Sequence, residues 1–312
     1  MNKEKEFIKI IKETHNLKED NNIKIGIGDD AAIVSGSGNQ IVCSDSIIEG
    51  VHFDLNYFSL EDVGWKSIAI NQSDIASMGG EPKFFTVSCG FPKNFTNDDV
   101  KKIAKGIKSA CDNNGGKVVG GDIILSEKIF ISISSIGEIH SNNFMTRSSA
   151  KPGEKIAVTG TLGNSAAGLK LIKDGINENI FSSFHLRPIP KIKTGVLLSK
   201  NGINCCMDIS DGLHNDLINL CNSSNVSASI DVGNLPVSNE LKSMFPDNYH
   251  DISINGGEDF ELLFTFNDLP KDLLEEIYII GKIIKNTPNK QVEYNLNGSN
   301  YKPNFDLWRH FE

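Results

Sequence analysis

Five short segments of the sequence place aspartate beside glycine or serine. They are GIGDDAA at 26–32, SDS at 44–46, NQSDIASMGG at 71–80, VGGD at 119–122 and DISDG at 208–212. Carboxylates that lie close together repel one another unless cations hold them. With no His or Cys among them, such oxygen ligands select magnesium, manganese or calcium rather than zinc. The pattern therefore predicts phosphoryl transfer, in which metal ions bridge nucleotide phosphates and the protein positions the reacting groups.

A purely structural interpretation of these segments stays open, because Asp next to Gly is also common in turns. The pairs Asp29–Asp30 and Asp208–Asp211 are the hardest to explain in that way. Each places two carboxylates within a few residues, beside apolar, strand-like runs. We expect the aspartates to lie in loops, several of them at strand ends that can aim a side chain rigidly.

Two common nucleotide-binding motifs fit the sequence poorly. Residues 26–31 match the loose dinucleotide pattern G-x-G-x-x-A, but their two aspartates would face a pyrophosphate with negative charge, and strand-like residues follow. Residues 163–170 nearly form a Walker A loop, but Leu169 stands where the lysine is required. A bound nucleotide must therefore be held in another way.

Length and periodicity predict two domains of mixed α/β (α+β) class. The chain has 312 residues, and this length exceeds the usual span of a single core. Hydrophobic residues make up 39% of it. A polar Pro/Gly stretch at 147–153 indicates a junction, so we place the domains at 1–149 and 150–312. Apolar periodicity and capping signals predict helices at 59–78, 98–113, 160–173, after Pro190 and at 212–221. Strand-like runs lie at 23–34, 40–44, 84–89, 117–119, 129–135, 155–159, 227–232 and 260–266, with a further strand ending near Asp208.

Composition argues against several classes of protein. The net charge of -9 leaves no basic surface in excess, which disfavours nucleic acid as the main partner. Apolar runs stay shorter than the roughly 20 residues that cross a bilayer, and the first residues resemble an amphipathic helix rather than a signal peptide. We therefore expect a cytoplasmic protein with no membrane segment. Six scattered cysteines without a C-x-x-C pair predict small buried side chains rather than zinc or disulfide sites: Cys43, Cys89, Cys111, Cys205, Cys206 and Cys221.

Taken in order, the motifs resemble the thiamine-monophosphate kinase family, whose superfamily includes aminoimidazole ribonucleotide synthetase and selenophosphate synthetase. The aspartate segments are accompanied by EGVHF at 49–53, TRSSAKPGE at 146–154, TGTLGNSAAGL at 159–169, HLRP at 185–188 and NGGEDFELLF at 255–264. The match spans nearly the whole chain, and the combination is much more specific than any one motif. It implies ATP-dependent phosphorylation of thiamine monophosphate to thiamine diphosphate by direct in-line transfer of the γ-phosphoryl group. It also implies a homodimer with a shared β-barrel built from the N-terminal domains, and a C-terminal domain that closes the active site.

The resemblance also implies which side chains carry the chemistry. The metal contacts, around several magnesium ions, are Asp30, Cys43 (through its carbonyl alone), Ser44, Asp45, Asp74, Asp122, Asp208 and Asp211. Of these, the group that reduces repulsion between the reacting anions is Asp30, Asp45, Asp74 and Asp122. The implied ATP contacts are Gly121, Asp122, Arg147 and Ser210. The implied acceptor contacts are His52, Glu258 and the aromatic Phe305, with Trp308 nearby, whereas His185 is expected to pack or to help a helix begin.

Two departures from the family pattern bear on the acceptor more than on the metals. Ile123 follows VGGD where the family commonly has Thr, and the tail reads FDLWRHF rather than the commoner glycine-containing form. Two alternatives stay open: another ATP-using enzyme of the superfamily with a different small acceptor, and a non-catalytic nucleotide or metal sensor. A selenophosphate synthetase would carry a reactive Cys in a glycine-rich N-terminal segment, and none of the first 42 residues is Cys. A sensor would have lost motif carboxylates, and none is missing.

Overall fold

A computed structural model of the protein describes residue 10 and residues 13–14, 23–25, 33–34, 39–140, 143–176, 179–275, 277–287 and 291–304. The chain divides into two compact units. The first comprises Met1–Ile75 and Gly80–His140, and the second comprises Ala76–Gly79 and Ser141–Glu312. Within the described residues, no helix is long and apolar enough to cross a membrane. Each unit is built on its own β-sheet.

The first unit contains a four-stranded sheet and a two-stranded ribbon. The ribbon pairs β1 (Ile23–Ile25) with β2 (Ile33–Val34). The sheet contains β3 (Asn39–Ile48), β4 (Glu81–Phe91), β5 (Lys117–Leu125) and β6 (Phe130–Ile139), in the order β3-β6-β4-β5. Only the β4–β5 pair of this sheet is parallel. Strands β3 and β5 are therefore its edges.

Two long helices, α1 (Leu60–Ser77) and α2 (Asn97–Asn114), complete the first unit. The predicted capping box of α1 is confirmed, since Asp62 N donates to Ser59 Oγ at 3.1 Å and Ser59 N donates to Asp62 Oδ2 at 3.2 Å. A Cβ on Gly106 would lie 1.9 Å from Glu61 O, so the two helices touch backbone to backbone where only glycine fits. The predicted apolar stripe of α2 is buried at Val100, Ile103, Ala104, Ile107 and Cys111.

The two faces of the four-stranded sheet differ in polarity. Along β3, Ile41 and Ile47 are buried, whereas Ser44 and Ser46 are exposed and Val42 is 74% exposed. This alternation is typical of a sheet with one face on the core and one toward solvent. The solvent face carries a polar row in register across all four strands: Ser46, Ser132, Ser88 and Asp122.

The second unit is a seven-stranded mixed sheet in the order β13-β12-β9-β11-β7-β10-β8. Its strands are β7 (Lys155–Val158), β8 (Cys205–Asp208), β9 (Val226–Asp231), β10 (Leu262–Phe266), β11 (Tyr278–Lys285), β12 (Val292–Leu296) and β13 (Ser299–Tyr301). Its helices are α3 (Asn164–Lys173), α4 (Ser182–Leu186), α5 (Ile192–Lys200), α6 (Leu213–Ser224), α7 (Asn239–Met244), α8 (Tyr249–Asn255) and α9 (Lys271–Leu274), with a 3-10 turn at Val232–Asn234. The predicted mixed α/β class is confirmed. The core packs Leu213, Leu217 and Leu220, at helical spacing on α6, among buried strand residues.

Two aspartate segments predicted to lie in loops are instead inside strands. Residues 44–46 are part of β3, and residues 119–122 continue β5, which was expected to end at residue 119. The glycines look like a turn from local sequence alone, but they let β5 approach β4 closely, and a Cβ on Gly121 would lie 1.9 Å from Val87 O. The aspartates of these segments are therefore held by a hydrogen-bonded sheet.

Candidate active site

Asn71 joins the predicted metal residues of β3 to helix α1. Its side chain is fully buried, and Oδ1 accepts hydrogen bonds from Asp45 N at 3.1 Å and from Ser135 Oγ at 2.9 Å. The Asn71 carbonyl also accepts a weak contact from Cys43 Sγ at 3.8 Å. Asp74, one helical turn further along α1, is thereby held in a fixed relation to the β3 backbone at Asp45.

The remaining predicted residues of β3 have different surroundings. Cys43 is half-buried, unlike the other five cysteines, which are buried as expected, and all six are free thiols. Cys43 lies on β3, an edge strand, and is therefore less covered than Cys89 on the inner strand β4. Ser44 Oγ donates to Ile133 O at 2.8 Å, which fixes the direction of its lone pairs.

Gly121 and Asp122 lie on β5, the opposite edge of the same sheet. Asp122 is exposed and pairs in register with Ser88 of β4. Three strand spacings separate β3 from β5, which amounts to about 14 Å at the usual distance between strands. Within one chain, Asp45 and Asp122 are therefore too far apart to bind the same magnesium ion, whose ligands lie about 2 Å away.

His52 lies in a short turn after β3. Its Nδ1 accepts a hydrogen bond from Ile48 N at 3.2 Å, and its own backbone N donates to Ile48 O at 3.0 Å. Because Nδ1 acts as an acceptor, the neutral ring carries its proton on Nε2. The ring thus presents a donor at Nε2.

In the second unit, the structure brings Asp208, Ser210 and Asp211 together in the turn between β8 and α6. Asp216, in the first turn of α6, is 1% exposed and accepts hydrogen bonds from Ser210 N at 3.1 Å and Asp211 N at 3.2 Å. Burial raises the pKa of Asp216 well above its usual value, and the charges of Asp208 and Asp211 raise it further, against the two backbone donors. Several carboxylates therefore crowd one turn.

The loop at 256–261 packs against that turn in a strained conformation. Glu258 and Phe260 have positive φ angles of 63° and 51°, which non-glycine residues adopt mainly where the surroundings impose it. Glu258 N donates to Ser210 O at 2.8 Å, and Phe260 N donates to Ile209 O at 2.9 Å. The loop therefore places Glu258 beside the backbone of a predicted ATP contact.

Two further acidic residues of this loop bind the segment at 159–165. Asp259 accepts from Gly163 N at 2.7 Å and from Ser165 N at 3.2 Å. Glu261 accepts from Thr159 Oγ1 at 2.6 Å and lies 3.0 Å from Lys191 Nζ. A Cβ at residue 160 would fall 2.4 Å from the Glu261 carboxylate, so the motif needs glycine there.

Arg147 is exposed in the turn before β7. Its carbonyl accepts from Ser224 Oγ at 2.9 Å, which fixes the backbone of the turn. An exposed guanidinium can offer a fork of donors to a phosphate. Asp30 and Phe305, with Trp308, lie outside the described residues.

Comparison with known proteins identifies the family. Residues 28–139 match the family model of the AIR synthase related protein, N-terminal domain, and residues 151–269 match that of the C-terminal domain. Thiamine-monophosphate kinase of Bacillus subtilis is 36% identical over 264 residues, covering 81% of this chain and 81% of the relative. The chain belongs to the thiamine-monophosphate kinase family.

Solved structures of this family agree with the assignment over nearly the full chain. Thiamine-monophosphate kinase from Stenotrophomonas maltophilia superposes with a TM-score of 0.82 at 28% identity, covering 94% of this chain and 96% of that one. AaThiL complexed with AMPPCP and TMP superposes with a TM-score of 0.78 at 35% identity, covering 97% of this chain and 96% of that one. The family membership accounts for the order of motifs along the sequence.

The donor set fits magnesium in its chemistry. The predicted contacts are carboxylate, hydroxyl and carbonyl oxygens, the ligands that magnesium prefers. Among the described residues, no three His, Cys, Asp or Glu side chains are already grouped around a metal position. Burial is the main cause of the raised pKa of Asp216, and the charges of Asp208 and Asp211 add to it. A cation near those two carboxylates would relieve this added repulsion.

Sequence reasoning missed Asn71, Asp216, Asp259 and Glu261, although each lies in or beside a motif that it used. Asn71 and Asp216 could have been found as polar residues at positions where their helices are buried. Asp259 binds backbone 94 and 96 residues away, a contact that no local pattern reveals. These four residues hold the site in shape rather than extend its list of ligands.

Gly121→Ala should impair both stability and nucleotide binding. The new Cβ would lie 1.9 Å from Val87 O, so β5 must move away from β4 and carry Asp122 with it. We expect a loss of about 1–3 kcal/mol in the free energy of unfolding and a KM for ATP raised at least about tenfold. Urea unfolding and steady-state kinetics measure the two effects. Gly120→Ala is the matched control, because its Cβ would meet nothing closer than Thr86 Cγ2 at 4.0 Å; equal behaviour of the two variants would contradict the prediction.

Asp259→Asn should change how stability depends on pH. The pKa of Asp259 is raised to about 7, mainly by burial and in part by the charges of Glu261 and Glu258, against the N–H groups of Gly163 and Ser165. The folded protein thus holds this proton more tightly than the unfolded chain, whose value is near 3.8. The contribution of this carboxyl to stability is full below about pH 4 and is lost as the pH rises to about 7.

An amide at residue 259 does not titrate, so the stability of the variant should fall less across that interval than that of the wild type. Urea unfolding at several pH values between about 4 and 8 measures the difference. The neighbouring titratable and charged groups, Glu258, Glu261, His185 and Lys191, are present in both proteins, so the difference between the two curves reports the titration of residue 259 together with its coupling to them. Parallel pH curves would rule out the assigned pKa shift.

Proposed function

We propose that the protein transfers the γ-phosphoryl group of ATP to thiamine monophosphate, forming thiamine diphosphate and ADP. The observation that carries this proposal is the likeness to AaThiL, 35% identical across 97% of the chain and solved in complex with AMPPCP and TMP. AMPPCP is an analogue of ATP that cannot lose its terminal phosphoryl group by hydrolysis. The two ligands named for that relative correspond to the nucleotide and the acceptor of this reaction.

The transfer needs no general base. The attacking oxygen of a phosphate monoester is already ionised at neutral pH, so the main barrier is the approach of two anions. Asp45, Asp74 and Asp122, with Asp30, would hold magnesium ions, which neutralise phosphate oxygens when bound. Asp45 and Asp122 lie on strands and Asp74 lies on a helix, and these positions keep the three carboxylates preorganised for in-line attack.

The other assignments follow the family motifs. We assign ATP contacts to Gly121, Asp122, Arg147 and Ser210, and further metal contacts to Cys43, Ser44, Asp208 and Asp211. For the acceptor we assign His52, whose Nε2–H can donate to a phosphate oxygen, and Glu258, whose charge suits a cationic thiazolium ring. Phe305 would offer an aromatic face to the same ring.

We also propose that the active form is a homodimer in which β5 of a second copy lies beside β3. Both edges are long strands, and near them Val42 and Leu125 are each 74% exposed. Such edges readily pair with another chain. Pairing them would close a shared barrel and bring Asp122 of one copy near Asp45 of the other, which removes the separation of about 14 Å within one chain.

The proposed roles of residues 1–149, in nucleotide, metal and partner binding, and of residues 150–312, in completing the site, stay predictions. So does the cytoplasmic location.

Product analysis separates this function from its two rivals. Purified protein is incubated with ATP, magnesium and one acceptor at a time: thiamine monophosphate, thiamine, aminoimidazole ribonucleotide precursor or selenide. The proposal expects magnesium-dependent thiamine diphosphate and ADP with the first acceptor alone. Turnover with another acceptor favours a different superfamily enzyme, and ATP binding without turnover of any acceptor favours a sensor.

A further inference from the structure

His185 makes a buried contact with the predicted acceptor residue Glu258. Its Nδ1 lies 3.1 Å from Glu258 Oε2 and 3.2 Å from Ser165 Oγ. The His185 side chain is 4% exposed, whereas that of Glu258 is 31% exposed. The contact therefore joins a side chain fixed in the core to a carboxylate that a ligand can still reach.

The chemistry of the pair fixes the position of one proton. An ionised carboxylate only accepts hydrogen bonds, so the bond to Glu258 requires a proton on His185 Nδ1. Ser165 is fully buried, and its hydroxyl on the same nitrogen restrains the plane of the ring. The single Nδ1 proton is thus shared between two acceptors, Glu258 Oε2 and Ser165 Oγ.

The Glu258 carboxylate is consequently held from two sides. Its backbone is fixed in the left-handed region, with φ at 63°, by the bond from Glu258 N to Ser210 O. Its side chain is fixed by His185, which lies 73 residues earlier in the chain. An exposed glutamate without this contact would lose rotamer freedom when it bound a ligand.

We propose that His185 is a positioning residue, which orients the Glu258 carboxylate toward the cationic part of the acceptor. This inference rests on the proposed function and on Glu258 as an acceptor contact. It goes beyond the packing or helix-entry role expected from the HLRP motif, with which the burial of His185 agrees. Its consequence is selective: loss of the Nδ1 donor should weaken binding of thiamine monophosphate while binding of ATP is kept.

The test compares two amides that place a donor differently. Asn can put its Nδ2 close to the position of Nδ1, whereas Gln puts its donor near that of Nε2. We expect His185→Gln to raise the KM for thiamine monophosphate about tenfold, with the KM for ATP within about twofold of the wild type. His185→Asn should restore most of the loss. His140→Leu is the control, since His140 forms a similar pair with Glu81, at 3.2 Å, on the surface.

A double-mutant cycle with Glu258→Gln measures the coupling. If His185 acts through Glu258, the double variant should be no worse than Glu258→Gln alone. Additive losses, equal effects of Asn and Gln, or parallel changes in the KM of both substrates would overturn the inference and leave only a packing role. If the wild-type protein makes no thiamine diphosphate, both the proposed function and this inference are wrong. If the wild type is active and the variants keep its KM for thiamine monophosphate, this inference alone is wrong.

Discussion

Asp45→Asn is expected to leave the protein folded and to lower kcat by about a thousandfold, or about 4 kcal/mol in the barrier. The contact that fixes this part of β3 is the bond from the Asp45 backbone N to Asn71 Oδ1, and the substitution keeps it. The substitution removes one negative charge that would bind magnesium. Steady-state kinetics at saturating magnesium measures the effect. Asp112→Asn is the matched control, because Asp112 pairs with Lys108 on the surface of α2. A kcat near the wild-type value for Asp45→Asn would contradict the metal assignment.

A mixture of two inactive variants tests where the second carboxylate comes from. Asp122→Asn should be as inactive as Asp45→Asn by itself. If Asp45 of one copy works with Asp122 of the other, subunit exchange should restore about a quarter of wild-type activity, since half of the dimers are mixed and each has one intact site. If both residues act within one chain, mixing restores nothing.

Asn71→Ala should be among the most destabilising single changes in the first unit. It removes the acceptor of Asp45 N and of Ser135 Oγ in a fully buried place, and it opens a small cavity. Buried groups left without partners cost about 1–3 kcal/mol each, so we expect a loss of about 2–4 kcal/mol in the free energy of unfolding. Activity should fall as well, because α1 and β3 carry Asp74 and Asp45.

Asn113→Ala is the matched control for that substitution. Asn113 makes the same side-chain bond to the backbone four residues earlier, from Nδ2 to Ser109 O at 2.8 Å, as Asn71 makes to Ser67 O at 3.0 Å. It is exposed on α2, and among the described residues its side chain forms no hydrogen bond to the sheet. Urea unfolding of both variants isolates the bonds of Asn71 to the sheet. Similar losses for the two would mean that these bonds contribute little.

Sequence patterns predicted the elements whose causes are local. The capping box at Ser59 and Asp62 and the apolar spacing of Val100 to Cys111 act within one helix, so they could be recognised directly. The extension of β5 through Gly120 and Gly121 could not, because it depends on the backbone of β4.

In the candidate site, too, features with local causes could be predicted from the sequence, and features that depend on distant parts of the chain could not. The order of the motifs predicted Asp45, Asp122 and Asp208 as metal contacts, because their residue type and their neighbours in sequence indicate that role. The supports of these residues come from distant parts of the chain, as with Asp259 on the Gly163 turn and His185 on Glu258. The separation of Asp45 from Asp122 also required the strand order, which periodicity does not give.

The most direct test of the central claim follows the terminal phosphate of ATP. The protein is mixed with γ-labelled ATP, magnesium and thiamine monophosphate, and the products are separated by chromatography, with EDTA and unphosphorylated thiamine as controls. The proposed function predicts label in thiamine diphosphate, no transfer in EDTA and no labelled product from thiamine. Label found only in inorganic phosphate, with thiamine monophosphate unchanged, would contradict it.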